Sequence, residues 1–108
     1  MILYGIPTCD TCRKALREIS AAGQDVTFRD IRAEPLEPAE VSRFLAAFGD
    51  RLVNRASTTW RGLDDAARAA GPAALLAAHP TLMKRPVIDR DGVLTLGWTA
   101  EVKPLILK

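Results

Sequence analysis

A change of hydrophobic period at the start of the chain restricts its fold more than any other feature. Residues 2–5 form a short apolar run that is typical of a buried β-strand. After Pro7, the apolar side chains of residues 10–22 recur at helical spacing, and Gly23 is a typical helix stop. The sequence therefore predicts a strand that leads directly into a helix, with a Cys-x-x-Cys motif at the junction.

The remaining apolar patterns predict three more strands. Alternating residues indicate a second strand over 26–31, which makes a parallel βαβ unit with a right-handed crossover. Towards the end of the chain, residues 86–88 and 93–96 predict two strands, and the Asp91-Gly92 pair between them is a strong β-hairpin signal.

The middle of the chain, residues 50–80, is rich in alanine and is predicted to be mostly helical. After the first helix, a second is predicted over residues 40–48, with Gly49 ending it. A third helix is capped by residues 57–59 and carries Trp60 and Leu63. A short helix runs from Gly71-Pro72 to His79, and a closing helix is predicted over 99–107. This order predicts an α/β protein with a thioredoxin-like fold: a four-stranded mixed sheet flanked by helices, with a helical insertion. We expect a single domain over residues 1–108.

Composition excludes several other classes of protein. Apolar residues make up 48% and charged residues 26% of the chain, which is typical of a folded globular domain and not of a disordered one. The net charge of +2 is too small to predict direct nucleic-acid binding by electrostatics. No targeting or membrane-spanning segment is visible, so we expect a cytoplasmic monomer that binds neither nucleic acid nor membrane.

The motif Cys9-Asp10-Thr11-Cys12 is the main chemical feature of the sequence. Two residues separate the cysteines, so one helical turn brings their sulfur atoms to the same side. At the start of a helix, unpaired backbone N–H groups and the helix dipole stabilise an anion, and Arg13 adds positive charge. This environment favours the Cys9 thiolate as a nucleophile, with Cys12 as the resolving thiol.

Other interpretations of these residues remain open. The two cysteines could be inert and partly buried, and the hydroxyls of Thr8 and Thr11 could cap the helix instead of donating to the thiolate. We predict no metal site, since a structural zinc ion requires four ligands and the chain offers two cysteines and His79. The sequence has no glycine-rich phosphate loop, so no bound nucleotide cofactor is implied.

Three segments carry a resemblance to a known family. They are YGIPTCDTCRKA at residues 4–15, NRASTTWR at 54–61 and HPTLMKRPVI at 79–88. With these segments the chain resembles the arsenate reductase (ArsC)/Spx family of thioredoxin-like proteins over nearly its whole length, and its YffB-type branch most of all.

The resemblance implies roles for particular residues. Cys9 matches the cysteine on which arsenate reductases form a thiol–arsenate adduct, and Arg85 matches an oxyanion-binding arginine. Arg55 corresponds to a second arginine of that group. Gly97-Trp98 occupies the region of a third, late arginine, so an arsenate-like substrate would lose one charged contact.

The fold implies a further feature of the same site. A thioredoxin-like fold places a cis-proline opposite its cysteine helix, which predicts a cis peptide bond between Arg85 and Pro86. The predicted catalytic residues are therefore Cys9, Cys12 and Arg85. The predicted substrate-binding residues are Arg55, Thr8, Thr11, Arg13 and Pro86.

Two functions follow from the cysteine pair and the resemblance. The first is a thiol-dependent reductase of a disulfide, a glutathione adduct or an oxyanion such as arsenate. It would have no bound cofactor, would use glutathione or another thiol as co-substrate, and could be coupled to glutaredoxin or thioredoxin. The second is an Spx-like regulator, in which the same cysteines form a redox switch and the partner is RNA polymerase.

Overall fold

The computed structural model describes residues 1–107, and the backbone contacts of the chain form two compact units. The first unit contains residues 1–34 and the segment that begins at Arg85, and the second is Pro35–Lys84. The single domain over 1–108 stays a prediction, and its last residue lies outside the described part of the chain.

A four-stranded mixed sheet forms the centre of the first unit, with the strand order β2-β1-β3-β4. Its strands are β1 (Ile2–Gly5), β2 (Thr27–Asp30), β3 (Val87–Arg90) and β4 (Val93–Leu96). Strand β1 pairs in parallel with β2 and antiparallel with β3, and β3 pairs antiparallel with β4. The mixed sheet of the predicted α/β fold is confirmed.

Helix α1 (Asp10–Ala21) connects β1 to β2, as the helical spacing predicts. Its buried face consists of Cys12, Ala15 and Ile19, which join a core cluster with residues of β1, β3 and the C-terminal segment. Just beyond the helix, Gly23 has a φ of 79°, which L side chains rarely adopt, so the predicted stop at this glycine is confirmed.

The hairpin between β3 and β4 turns at Asp91-Gly92, as predicted. Both residues have positive φ angles, 52° and 87°, which is the requirement of a type I′ turn. The amide of Gly92 donates to the carboxylate of Asp89 at 2.9 Å, which stabilises the turn.

The second unit is helical. Its elements are α2 (Pro38–Phe48), a 3₁₀ turn (Gly49–Leu52), α3 (Thr58–Arg61), α4 (Asp65–Arg68), α5 (Pro72–Ala78) and a second 3₁₀ turn (Pro80–Leu82). Helix α2 packs on the first 3₁₀ turn and on α5, with Val41 and Phe44 buried. An antiparallel bridge between Val53 and Met83 ties the segment before α3 to the segment after the second 3₁₀ turn.

Several predicted boundaries are wrong for local reasons. Helix α2 begins at Pro38 and not at residue 40, because proline is well tolerated in a first turn. Strand β2 is shorter than the predicted strand over 26–31, because Val26 lies just before the strand and Ile31 just after it. Ile31 is nevertheless buried.

Two predicted helices are shorter than expected. Leu63 lies beyond α3, which ends at Arg61. The closing helix, α6 (Lys103–Ile106), is a single turn with Pro104 in its first turn, because proline is disfavoured further inside a helix. Among the described residues, no helix is long and apolar enough to cross a membrane.

Candidate active site

Cys9 is the N-cap residue of α1, at the point where the chain leaves β1 and begins the helix. Its backbone is extended, with a φ of −82° and a ψ of 117°. The Cys9 amide donates to the carbonyl of Ile6 at 3.0 Å, and the Cys9 carbonyl accepts from the amide of Arg13 at 3.0 Å. These two hydrogen bonds hold the residue at the helix start and leave its side chain partly exposed.

The environment of Cys9 lowers the pKa of its thiol. Burial is the largest effect and by itself raises the pKa, but several groups together outweigh it. The backbone amide and the thiol of Cys12 favour the anion, although the amide lies outside the geometry of a regular capping hydrogen bond. Arg85 acts in the same direction through a hydrogen bond and through its charge. The thiolate at the helix start therefore has cationic and hydrogen-bonding support from within the first unit.

Cys12 has the opposite character. Its side chain is fully buried in the core cluster, and burial, as the main cause, raises its pKa to about 12. The neighbouring Cys9 sulfur raises it further, while the Ile6 backbone and Arg85 act against the rise. At neutral pH Cys12 is therefore a protonated thiol that large substrates cannot reach.

Gly5 makes room for the buried sulfur. A Cβ atom built at Gly5 would lie 2.5 Å from Cys12 Sγ, closer than real side chains approach. Sequence analysis did not single out this residue as functional, although a glycine inside a strand often marks a close approach of another group. Gly5 belongs to the site because it permits the packing of Cys12.

Arg85 and Pro86 lie at the start of β3. The peptide bond between them is cis, as predicted. Pro86 is fully buried, Arg85 is partly buried, and the carbonyl of Pro86 accepts from the amide of Gly97 at 2.8 Å. The structure thus brings Cys9, Cys12 and Arg85 together, and Pro86 follows Arg85 in the chain.

The other predicted residues around the motif point to solvent. Thr8 and Thr11 are exposed, and their hydroxyls form no hydrogen bond within residues 1–107. Arg13 is also exposed and forms an ion pair with Asp10 at 2.6 Å. Its charge is thus directed to a neighbouring carboxylate, and the substrate-binding roles of these three residues stay predictions.

Arg55 belongs to the second unit. Its guanidinium lies over the ring of Trp60, 5.4 Å from the ring centroid, and Arg68 lies over the same ring at 5.5 Å. The predicted role of Arg55 in substrate binding stays a prediction.

The sheet, the cis-proline and a helix-start pair of cysteines define a thioredoxin-like protein with a Cys-x-x-Cys site. Residues 4–103 match the sequence profile of the ArsC family, so the chain belongs to that family. The resemblance noted from the three sequence segments is confirmed.

Proteins similar to this chain support the same assignment. An uncharacterised protein of Haemophilus influenzae is 37% identical over 101 residues, which is 89% of either chain. Among solved structures, the YFFB protein has a TM-score of 0.86 at 31% identity and covers 99% of this chain and 98% of its own. An arsenate reductase (ArsC) related protein from Brucella melitensis has a TM-score of 0.75 at 37% identity, with coverages of 99% and 93%.

A regulator also appears among the similar proteins. The global transcriptional regulator Spx 1 of Oceanobacillus iheyensis is 29% identical over 105 residues, which is 92% of this chain and 80% of that protein. At the level of the family, the chain is therefore similar both to reductase-related proteins and to Spx regulators.

Proposed function

We propose that the protein is a thiol-dependent reductase in which Cys9 attacks the substrate and Cys12 resolves the intermediate. The observation that carries this proposal is the contrast between the two thiols. Cys9 is partly exposed with a lowered pKa, whereas Cys12 is buried with a pKa of about 12. The Cys9 thiol is therefore activated as a nucleophile, and the Cys12 thiol, one turn further along the helix, stays protonated until the second step.

The first step forms a mixed disulfide. The Cys9 thiolate attacks one sulfur of a substrate disulfide or glutathione adduct, a new S–S bond forms to Cys9, and the substrate S–S bond breaks. The departing sulfur leaves as a thiolate and takes a proton from solvent. The positive charge of Arg85 stabilises the anion before attack and the negative charge that is transferred during it.

The second step uses the buried thiol. Once Cys9 is covalently bound, its sulfur is no longer an anion, and its contribution to the high pKa of Cys12 disappears. Cys12 then loses its proton and attacks the Cys9 sulfur, which releases the second half of the substrate as a thiol. Two electrons have passed to the substrate, and the enzyme holds a Cys9–Cys12 disulfide.

An external thiol completes the cycle. Two molecules of glutathione, or a dithiol such as reduced glutaredoxin or thioredoxin, supply the two electrons that regenerate both thiols. An oxyanion such as arsenate is a further candidate substrate. We favour disulfides over arsenate as the substrate. Gly97-Trp98 occupies the region where the resemblance implies a third arginine, so arsenate would lose one charged contact. The cytoplasmic location and the monomeric state stay predictions.

Trapping of mixed disulfides tests the reductase proposal. In Cys12→Ser the second step is blocked, so the purified protein treated with oxidised glutathione should gain one glutathione on Cys9, detected by intact-mass spectrometry. The wild type should instead proceed to the internal disulfide and lose two mass units. Cys9→Ser is the matched control and should remain unmodified, because its remaining thiol is buried.

Two results would contradict the reductase. One is equal modification of both single-cysteine variants. The other is a failure of the wild type to reduce glutathione mixed disulfides with glutathione as electron donor.

The Spx relatives favour a second candidate function, a redox-sensing regulator that binds RNA polymerase. Co-purification with RNA polymerase under reducing and oxidising conditions separates the two candidates. The regulator requires an association that changes with the redox state and is lost in Cys9→Ser. Equal recovery of polymerase in both conditions, or none in either, would contradict it.

A further inference from the structure

Strand β4 is an edge of the sheet that the proposed reductase does not use. It pairs with β3 on one side only, in an unbroken register from Val93 to Leu96. In a two-residue hairpin of this register, Val93 and Thr95 direct their backbone groups towards β3. Leu94 and Leu96 therefore direct their amides and carbonyls away from the sheet, and these groups form no hydrogen bond within residues 1–107.

The two edges of the sheet differ in their protection. The other edge strand, β2, carries Arg29 and Asp30, and Arg29 forms an ion pair with Glu34 at 3.5 Å. Charged side chains on an edge strand hinder its pairing with a further strand. Strand β4 has the sequence Val-Leu-Thr-Leu, without a charge, a proline or a bulge. Of the two edges, β4 is therefore the one open to pairing.

A pocket of about 380 Å³ lies beside this edge, between the β3–β4 hairpin and α6. Its lining includes Val93 and Thr95, which share one face of β4, and Leu105 and Ile106. Val93 and Leu105 are 66% and 52% exposed, and they are the two exposed large apolar side chains of residues 1–107. All of these residues belong to the first unit. A strand added at β4 would place alternate side chains in this pocket.

The hydroxyl of Thr95 adds a polar requirement to the pocket. Thr95 is 7% exposed, and its Oγ1 atom is buried and forms no hydrogen bond within residues 1–107. Burial of a hydroxyl without a partner is unfavourable. In an antiparallel pair with a further strand, Thr95 would occupy a non-hydrogen-bonded position, where facing side chains lie closest. A hydroxyl on the facing residue would give Oγ1 a partner, as in other cross-strand threonine pairs.

We propose that β4 binds an extended segment of a partner protein, which adds a fifth, antiparallel strand to the sheet. The free backbone groups define this occupant, because an extended chain presents alternating N–H and C=O groups at the spacing of Leu94 and Leu96. The residue of the segment that faces Thr95 carries a hydroxyl, and its neighbours two positions away are apolar. The proposal goes beyond the reductase, because none of the groups that it uses belongs to the cysteine site.

A synthetic peptide tests this proposal. The peptide Lys-Val-Ala-Thr-Ala-Val-Lys, acetylated and amidated at its ends, has valine, threonine and valine on one face. Titrated into the ¹⁵N-labelled full chain, it should shift the amide signals of Leu94 and Leu96 in a saturable way and leave those of β2 in place. With threonine facing Thr95, the two alanines face Leu94 and Leu96 and form the backbone hydrogen bonds. The matched control is therefore the same peptide with both alanines N-methylated, which should not bind.

Variants of the protein separate the backbone from the side chains. Leu94→Pro removes one outward N–H group at an edge position where proline is tolerated, and it should weaken binding about fivefold. Leu94→Ala is the matched control, because it keeps the N–H group, and it should bind as the wild type does. The wild type should bind a peptide with valine in place of the central threonine about fivefold more weakly. Thr95→Val should lose this preference for threonine.

Several outcomes would overturn the added strand. They are shifts that grow without saturation, equal shifts of the β2 amides, equal binding of the N-methylated peptide, and equal affinities of Leu94→Pro and Leu94→Ala. If Leu94→Pro does not fold, the N-methylated peptide decides the question alone. Equal affinity of the wild type for the threonine and valine peptides would overturn the pairing with Thr95.

The cysteine site serves as a separate control. Cys9→Ser should bind the peptide as the wild type does, so this proposal and the reductase can fail independently. Loss of binding in Cys9→Ser would assign the peptide to the thiol site and would overturn its binding at β4.

Discussion

At the scale of single residues, the pKa values of two chemically identical thiols are shifted in opposite directions because the thiols lie in different surroundings. Cys9 caps a helix close to Arg85, and its pKa is lowered even though burial opposes this. Cys12 lies one turn later on the inner face of the same helix, where burial raises its pKa to about 12. The difference comes from solvent access and from the direction of nearby dipoles and charges, and not from the thiols themselves.

The raised pKa of Cys12 predicts a loss of stability at alkaline pH. The unfolded chain releases this proton near its usual pKa of about 8.5, while the folded protein keeps it to higher pH. The free energy of unfolding should therefore fall as the pH rises above about 8.5, with a limiting slope of about 1.4 kcal/mol per pH unit.

Denaturant titrations at a series of pH values would measure this slope. They are best performed in a Cys9→Ser background, where burial, the largest cause of the shift, is retained. The matched control is Cys9→Ser combined with Cys12→Ala, which should lack this part of the slope. Parallel pH profiles for the two proteins would contradict the assignment.

The close approach of Cys12 Sγ to Gly5 predicts an unfavourable substitution. Gly5→Ala would place a methyl group 2.5 Å from the sulfur, so the core must shift, and we expect a loss of about 1–3 kcal/mol in the free energy of unfolding. Combining it with Cys12→Ala should reduce that loss, because the sulfur is then gone. Strict additivity of the two substitutions in urea denaturation would show that they do not interact.

At the scale of secondary-structure elements, the caps decide where short helices begin. The Ser57 hydroxyl accepts from the amide of Trp60 at 3.1 Å and donates to the carbonyl of Asn54 at 2.9 Å. Helix α3 has four residues, none of them buried, so packing of its own side chains contributes little to its formation. The cap and a hydroxyl contact between Thr59 and Thr81 hold the helix in position. The guanidinium of Arg68 also donates to carbonyls of the same helix.

Removal of this cap should therefore weaken α3. We expect Ser57→Ala to lower the free energy of unfolding by about 1 kcal/mol, as for other N-cap serines. Ser20→Ala is the matched control, since Ser20 is exposed near the end of α1 and its hydroxyl forms no hydrogen bond in the described part of the chain. Urea denaturation of both variants provides the comparison, and equal effects would argue against a capping role for Ser57.

At the scale of the whole molecule, burial is unevenly distributed along the chain. In the first unit, Leu3, Ile19 and Ile88 are fully buried, and they belong to one core cluster that contains Cys12. In the second unit, α3 and α4 bury no residue at all. The candidate active site thus lies on the well-packed core of the first unit.

This distribution predicts the pattern of hydrogen exchange. Amides of β1, β3 and the inner turns of α1 should exchange most slowly, because their opening requires disruption of the core. Amides of residues 58–68 should exchange early, since few buried contacts oppose local opening. Hydrogen-exchange mass spectrometry with peptide resolution would measure both, and equal protection of 58–68 and β1 would contradict this account.

The sequence by itself determined the order of strands and helices and the place of the Cys-x-x-Cys motif. Residues 2–5 and 93–96 are strands with the predicted bounds, and the Cys-x-x-Cys motif stands where a strand leads into a helix. Such features depend on local periodicity, turn chemistry and capping, which are properties of neighbouring residues. The segment 50–80 was predicted less well, because its alanine-rich composition favours helix without fixing where each helix ends.

Only the tertiary structure decided which cysteine is buried, what Gly5 accommodates and which charges face each other. The pairing of β1 with β3 joins segments more than eighty residues apart and leads into the Arg85–Pro86 bond beside the cysteines. The pairing of Val53 with Met83 likewise brings Lys84 to Arg51 and Arg55. Desolvation and Coulomb interactions depend on distances in space, so they follow from the fold and not from spacing along the chain.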